Sequence, residues 1–160
     1  MNSISYKILV VEDSDDLREN IVSLLELNDY QVIFAENGYD GLQLAIQQMP
    51  DLIIADRMMP VMEGTQMLQE IRNNSVTSNI PLIFLTAKSS TSDIRDGMNY
   101  GADDYLTKPF EAPELLKAVK TRLEKKSKTD EKFEKVYKNI SQSIPHELRT
   151  PLVSLQGFSN

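Results

Sequence analysis

The chain has 160 residues, which is enough for one domain of ordinary size and a short extension. It contains no cysteine and one histidine, so disulfides, thiol catalysis and a multi-histidine metal site within one chain are excluded. The formal net charge of −7 argues against a broad nucleic-acid-binding surface. No apolar run reaches the roughly 18 residues that a membrane span requires, and the N-terminus has no secretory signal pattern, so we expect a cytoplasmic protein.

Charge and hydrophobic pattern both change near residue 120. Residues 1–120 contain nine basic and nineteen acidic side chains, whereas residues 121–160 contain eight basic and five acidic ones. We therefore predict an acidic globular domain over residues 1–127 and a helical tail over residues 128–160.

Short apolar runs alternate with segments of helical periodicity in the first domain. Four of the five runs are continuous, which is typical of strands that are buried on both faces of a parallel sheet. The predicted strands contain, in chain order, Ile8–Val11, Val32–Ala35, Leu52–Ala55, Leu82–Leu85 and Tyr105–Leu106. The predicted helices carry apolar stripes from Leu17 to Leu25, Leu42 to Met49, Met67 to Ile71, Ile94 to Met98 and Leu115 to Leu123. Five such units predict an α/β fold with helices on both faces of one sheet.

Residues with chemical potential follow the predicted strands, and the carboxyl ends of parallel strands share one edge of a sheet. Glu12 and Asp13 follow the first strand, Asp56 the third, Thr86 the fourth and Lys108 the fifth. Adjacent carboxylates repel one another unless a cation joins them. Oxygen ligands without histidine or cysteine select a hard ion, so we expect Mg²⁺. The absence of a glycine-rich phosphate loop argues against a nucleotide site.

This set of side chains is suited to phosphoryl transfer. A carboxylate can attack phosphorus and form an acyl phosphate, and the reaction then depends on positioning and charge neutralisation. We expect Mg²⁺ to bridge Asp13, Asp56 and a phosphoryl oxygen. Lys108 would neutralise a second phosphoryl oxygen, and the hydroxyl of Thr86 would donate a hydrogen bond to a third.

The chain resembles the response-regulator receiver domain of two-component phosphorelays over about residues 5–127. The resemblance rests on four motifs, which are ILVVED from Ile8, DRMMPVMEG from Asp56, LTA from Leu85 and GADDYLTKPF from Gly101. It implies a flavodoxin-like, doubly wound, five-stranded parallel sheet of order 2-1-3-4-5. It also implies that a histidine kinase or a phosphotransfer protein donates the phosphoryl group.

The resemblance assigns roles to the residues at the strand ends. It implies Asp56 as phosphoacceptor, Glu12 and Asp13 as the acidic pair that holds Mg²⁺, and Thr86 and Lys108 as the residues that sense the phosphoryl group. The remaining implied features are a metal ligand at the carbonyl of Met58, a switching aromatic at Tyr105 and a cis peptide bond at Lys108–Pro109.

Some of these residues also have simpler interpretations. Asp13 could cap the following helix, although Ser14 or Asp15 would serve equally well. Tyr105 could pack half-buried without any switching role. If the switch operates, we expect phosphorylation to draw Thr86 and Tyr105 inward and to shift an equilibrium at the face of the fourth helix, fifth strand and fifth helix.

The tail carries a second signal. Apolar residues recur at steps of three and four from Phe133 to Leu155, which predicts an amphipathic helix that pairs with a second copy of the chain. Within it, the sequence HELRTPL from His146 resembles the H-box of histidine-kinase dimerisation domains. That resemblance implies His146 as a phosphorylated histidine, Glu147 as its assisting base and Thr150 as a candidate for positioning water in a phosphatase reaction.

We therefore expect the N-terminal part of a receiver-containing sensor histidine kinase. The chain has no ATP-binding domain, so it would not form phosphohistidine from ATP by itself. A stand-alone response regulator with a dimerising tail is one alternative, and a non-catalytic pseudo-receiver that serves as an interaction module is another. An aspartyl-phosphate hydrolase is less consistent with the sequence, because many of them place a second aspartate where this chain has Met58.

Overall fold

The computed structural model describes residues 5–59, 61–87 and 101–126. The chain divides after Leu123, so all described residues except 124–126 belong to the first of its two units.

Two groups of sequence-based predictions lie outside the described residues. The first is the helical tail over residues 128–160, with its H-box residues His146, Glu147 and Thr150. The second is the helix predicted around Ile94 and Met98.

Five parallel strands form one sheet in the order β2-β1-β3-β4-β5, which confirms the flavodoxin-like order. The strands are β1 (Lys7–Val11), β2 (Gln31–Ala35), β3 (Leu52–Asp56), β4 (Leu82–Thr86) and β5 (Asp104–Thr107). Asp56 and Thr86 are therefore the last residues of their strands. Their backbone positions are fixed by pairing within the sheet, since Asp56 pairs with Leu85 and Thr86 with Thr107.

Three helices follow the first three strands. They are α1 (Asp15–Leu27), α2 (Gly38–Gln48) and α3 (Gly64–Asn73), and residues 112–126 are also helical. Ser14 caps α1, because its hydroxyl accepts a hydrogen bond from the backbone N–H of Leu17 at 3.4 Å. Capping therefore does not require the carboxylate of Asp13.

Alternate residues of the strands face two separate apolar clusters, as expected for a sheet that is covered on both sides. Leu9 and Val11 belong to the cluster formed with α2 and α3, whereas Ile8 and Val10 belong to the cluster formed with α1 and the 112–126 helix. Burial on both faces explains the continuously apolar sequences of β1, β3 and β4. The edge strand β2 is also apolar, but it is only partly buried, so that expectation was wrong for β2. None of the helices in the described part of the chain is long and apolar enough to cross a membrane.

Candidate functional site

The carboxyl edge of the sheet, where β1, β3, β4 and β5 end, gathers the predicted site residues. Carboxylate oxygens of Glu12, Asp13 and Asp56 lie within 4.8 Å of one another. Glu12 is fully buried, Asp56 is 7% exposed and Asp13 is open to solvent. The cluster therefore has two buried carboxylates and one accessible carboxylate at its rim.

Lys108 connects the strands that surround this cluster. Its Nζ atom lies 3.0 Å from Oε1 of Glu12 and 2.9 Å from Oδ2 of Asp56. Its backbone N–H donates to the carbonyl oxygen of Thr86 at 2.6 Å, and its peptide bond to Pro109 is cis. The ammonium group thus reaches the ends of β1 and β3 from the segment that follows β5.

The carboxylate of Asp56 is held from two sides. Oδ2 accepts from Lys108, and Oδ1 accepts from the backbone N–H of Met58 at 3.1 Å. Gly64, the first residue of α3, packs closely behind it, since a Cβ atom there would lie 2.5 Å from the carbonyl oxygen of Asp56. The start of α3 can approach the end of β3 only because residue 64 has no side chain.

The electrostatics of the cluster favour binding of a cation. Burial raises the pKa of Glu12 to about 7, an effect that the negative charge of Asp56 reinforces and that hydrogen bonds from Ser14 and Lys108 oppose. Burial also lowers the pKa of Lys108, but its pairing with Asp56 and Glu12 outweighs burial, so the net shift is upward. One ammonium group thus faces three carboxylates in the described part of this edge.

The donor set of the cluster fits a hard divalent ion. Three carboxylates from two strand ends offer oxygen atoms at mutual distances that a single ion can span. Met58 lies next to the cluster, because its N–H group donates a hydrogen bond to Asp56, and the residue as a whole is 65% exposed. The assignment of its carbonyl oxygen as a ligand stays a prediction.

Thr86 and Tyr105, the two residues of the predicted switch, lie in the neighbouring strands β4 and β5. Thr86 is 4% exposed at the end of β4. Tyr105 is half-buried in β5, where its ring centroid lies 5.9 Å from that of Phe84 at a tilt of 47°. Phe84 and Tyr105 are also direct partners in the sheet register. The packing interpretation of Tyr105 thus has clear support, and the switching role stays a prediction.

An apolar groove of about 410 Å³ adjoins the carboxyl edge. Its lining comes from α1, the segment after β5 and the start of the 112–126 helix, and includes Leu17, Asn20, Leu24, Lys108 and Phe110. Lys108 belongs both to this groove and to the acidic cluster. A protein that docks in the groove would therefore lie beside the acidic cluster.

Arg18 is a residue near this edge that the sequence analysis did not identify. It is 6% exposed, and its guanidinium donates to the carbonyl oxygen of Glu12 at 2.9 Å. The available signal was its position on α1, because Arg18, Ile21 and Leu25 are spaced as one buried helical stripe. A charged residue at such a position needs partners within the protein.

Comparison with known proteins identifies the family of this chain. The sequence matches the family model described as "Response regulator receiver domain" over residues 8–120. The chain belongs to the receiver domain family of two-component signalling. Receiver domains take phosphoryl groups from histidine kinases or phosphotransfer proteins and bind Mg²⁺ at their acidic pocket.

Three relatives illustrate the range of proteins to which this chain is similar. Histidine kinase P4 of Formosa agariphila is 41% identical over 88% of this chain but only 10% of its own length. Protein PilH of Pseudomonas aeruginosa is 40% identical over 71% of this chain and 93% of its own length. The chain spans about half the length of transcriptional regulatory protein DltR from Streptococcus agalactiae, at 42% identity.

Solved receiver structures agree with the fold. The receiver domain of sensor histidine kinase PA1611 from Pseudomonas aeruginosa, described with a magnesium ion coordinated in its active site cleft, is 30% identical with a TM-score of 0.70. That match covers 75% of this chain and 98% of the PA1611 domain. Chemotaxis response regulator CheY4 of Vibrio cholerae is 32% identical with a TM-score of 0.72, over 74% of this chain and 99% of CheY4.

Proposed function

We propose that Asp56 of this receiver domain accepts a phosphoryl group from a phosphohistidine donor, with Mg²⁺ held by Glu12, Asp13, Asp56 and the carbonyl oxygen of Met58. The observation that carries the proposal is the meeting of three carboxylates within 4.8 Å, with Lys108 bonded to Asp56 at 2.9 Å. A merely structural cluster would have little reason to bring three carboxylates around a single ammonium group.

The reaction is a nucleophilic displacement at phosphorus. A carboxylate oxygen of Asp56 forms the new P–O bond, while the P–N bond to the donor imidazole breaks and its electron pair returns to the ring nitrogen. Mg²⁺ neutralises phosphoryl oxygen charge when it is bound. The hydrogen bond from the N–H of Met58 orients Oδ1 of Asp56, and Lys108 provides positive charge beside Oδ2.

Thr86 and Tyr105 would report the reaction to the rest of the domain. The hydroxyl of Thr86, at the end of the strand next to β3, would donate to a phosphoryl oxygen after transfer. Tyr105 would follow, because its ring packs against that of Phe84. Phe84 lies two residues before Thr86 in β4. Thr86→Ala should leave transfer to Asp56 intact but reduce the change in the Tyr105 ring resonances on phosphorylation, whereas an unchanged response would contradict the switch.

We propose further that the chain is part of a receiver-containing histidine kinase. The match with Histidine kinase P4 covers 88% of this chain, so it continues beyond residues 8–120 and into the tail. If His146 is also a phosphoacceptor, a kinase should introduce a label that is acid-labile, alkali-stable and absent from His146→Gln. A stand-alone response regulator would carry no such label.

The central experiment is phosphorylation of the full chain by acetyl phosphate and by a phosphorylated histidine phosphotransfer protein, with and without Mg²⁺. Intact mass should show one added phosphoryl group with Mg²⁺, and Asp56→Asn should remove it. Asp29→Asn is a matched control, because it makes the same substitution at a turn residue with φ 68°, a conformation that asparagine tolerates. Failure of both donors to modify the unsubstituted chain would favour a non-catalytic interaction module.

A further inference from the structure

The buried side chain of Arg18 points to a role in the metal site. We propose that Arg18 is a positioning residue: it fixes the peptide group between Glu12 and Asp13, so that the carboxylate of Asp13 faces Asp56. The inference rests on the proposed function, since it concerns the Mg²⁺ site of the same phosphoacceptor.

Arg18 makes four interactions from its place on α1. Nη1 donates to the carbonyl oxygen of Glu12 at 2.9 Å, and Nη2 lies 2.6 Å from Oδ1 of Asp15 and 3.5 Å from Oε1 of Glu36. The guanidinium carbon lies 5.6 Å from the ring centroid of Phe34. The side chain thus joins α1 to the ends of β1 and β2, with its own position determined from several directions.

The contact with Glu12 bears directly on Asp13. The carbonyl oxygen of Glu12 and the N–H of Asp13 belong to one peptide group, so Arg18 fixes the orientation of that group. The next peptide group is fixed as well, because the N–H of Ser14 donates to Oε2 of Glu12 at 3.0 Å. Both peptide groups that flank Asp13 are therefore held, which fixes the direction of its Cα–Cβ bond and the side from which its exposed carboxylate reaches the cluster.

The two ion pairs of Arg18 do not account for its burial. Asp15 and Glu36 have side chains that are 74% and 68% exposed, and surface ion pairs of this kind contribute little to stability. The carbonyl oxygen of Glu12 belongs to a fully buried residue, so the loss of its donor is the consequential one. Substitution of Arg18 should therefore act mainly on the turn that carries Asp13.

Because Arg18 is positively charged, the direction of the change in Mg²⁺ affinity distinguishes a positioning role from a purely electrostatic one. A positive charge near the acidic cluster repels a divalent cation, so removal of that charge alone would strengthen Mg²⁺ binding. Removal of a positioning residue would weaken it, as observed for groups that orient metal ligands, by about tenfold or more. The two explanations predict opposite changes in the dissociation constant.

The experiment measures Mg²⁺ affinity of the full chain by isothermal titration calorimetry for Arg18→Met and Arg18→Lys. We expect the dissociation constant to rise about tenfold for Arg18→Met. Arg18→Lys keeps the charge but lacks the planar fork, and should bind more weakly than the unsubstituted chain. Amide resonances of Asp13 and Ser14 should also shift in both variants before Mg²⁺ is added.

Arg72→Met is the matched control, because Arg72 also bonds to backbone carbonyls and a carboxylate, but at the opposite edge of the sheet. It should leave Mg²⁺ affinity unchanged. The inference is overturned if Arg18→Lys binds Mg²⁺ as tightly as the unsubstituted chain, and this holds even if Arg18→Met does not fold. It is also overturned if Arg72→Met weakens Mg²⁺ binding as much as the substitutions of Arg18 do. Absence of Mg²⁺ binding by the unsubstituted chain would instead overturn the proposed function itself.

Discussion

The two edges of the sheet each contain a largely buried cationic side chain, but the groups that surround it carry different net charges. At the amino edge, where β4 and β5 begin, Arg72 donates to the carbonyl oxygens of Gly101, Ser78 and Ile80 and pairs with Asp103 at 3.0 Å. Oδ2 of Asp103 also accepts from the backbone N–H of Leu82. One positive charge therefore meets one negative charge and several neutral acceptors.

The carboxyl edge lacks this balance. In its described residues, Lys108 is the ammonium group for a cluster of Glu12, Asp13 and Asp56. Burial raises the pKa of Glu12 to about 7, and the negative charge of Asp56 adds to that increase. The charges at the amino edge are thus balanced in the free protein, whereas the charges at the carboxyl edge are balanced only when a divalent cation binds.

The largest predicted effect is on the free energy of unfolding, when the cationic side chain at the carboxyl edge is removed. Lys108→Met should lower the free energy of unfolding by about 3 kcal/mol at pH 8 without Mg²⁺, because it leaves buried carboxylates without a counter-charge. Added Mg²⁺ should recover much of that loss by supplying positive charge to the same oxygens. Urea unfolding with and without Mg²⁺ measures both quantities.

Arg72→Met is the corresponding change at the amino edge. It should also destabilise the domain, because three carbonyl oxygens and Asp103 lose their donor. Mg²⁺ should not recover this loss, since the described residues of that edge form no carboxylate cluster for a hard cation to bind. Equal recovery of the two variants by Mg²⁺ would contradict the proposed difference between the edges.

The next effect is a dependence of Mg²⁺ affinity on pH. Burial raises the pKa of the Glu12 carboxyl group in the folded chain from its ordinary value of 4.5 to about 7. Without Mg²⁺, the stability that its protonation contributes is largest below pH 4.5 and is lost as pH rises toward 7. Mg²⁺ must displace that proton, so we expect its affinity to be about tenfold lower at pH 6 than at pH 8.

Calorimetric titration across this range checks the prediction. Glu12→Gln should bind Mg²⁺ more weakly, but its affinity should lose most of the dependence on pH between 6 and 8. An affinity that is constant over the same range in the unsubstituted chain would show that Glu12 does not exchange its proton for the metal.

A smaller effect should separate docking from chemistry. Asn20 is exposed and lines the groove beside Lys108, so Asn20→Trp should slow transfer from a phosphorylated protein donor several-fold by obstructing it. Transfer from acetyl phosphate, which needs no docking surface, should be unaffected. Gln47→Trp, an exposed amide on α2, should change neither rate, and a loss with acetyl phosphate for Asn20→Trp would contradict the docking interpretation.

The strands that are buried on both faces could be predicted from the sequence, because such strands are continuous apolar runs, as in Leu52–Asp56. Parallel strand direction predicted that Asp13, Asp56 and Lys108 lie at one edge of the sheet, and the strand order implied by the family resemblance predicted that they lie close together within it. The packing of Gly64 against Asp56 and the hydrogen bond from Arg18 to the carbonyl oxygen of Glu12 could not be predicted in the same way. Those contacts depend on the tertiary packing of the helices against the strand ends, and the hydrophobic periodicity of the sequence does not predict that packing.

The most direct test of the central claim is to locate the acyl phosphate. Borohydride reduction of the phosphorylated full chain converts a phosphorylated aspartate to homoserine, which peptide mass mapping can place. The account predicts homoserine at position 56, in a quantity that depends on Mg²⁺. Modification at Asp13 or elsewhere with residue 56 intact would contradict it.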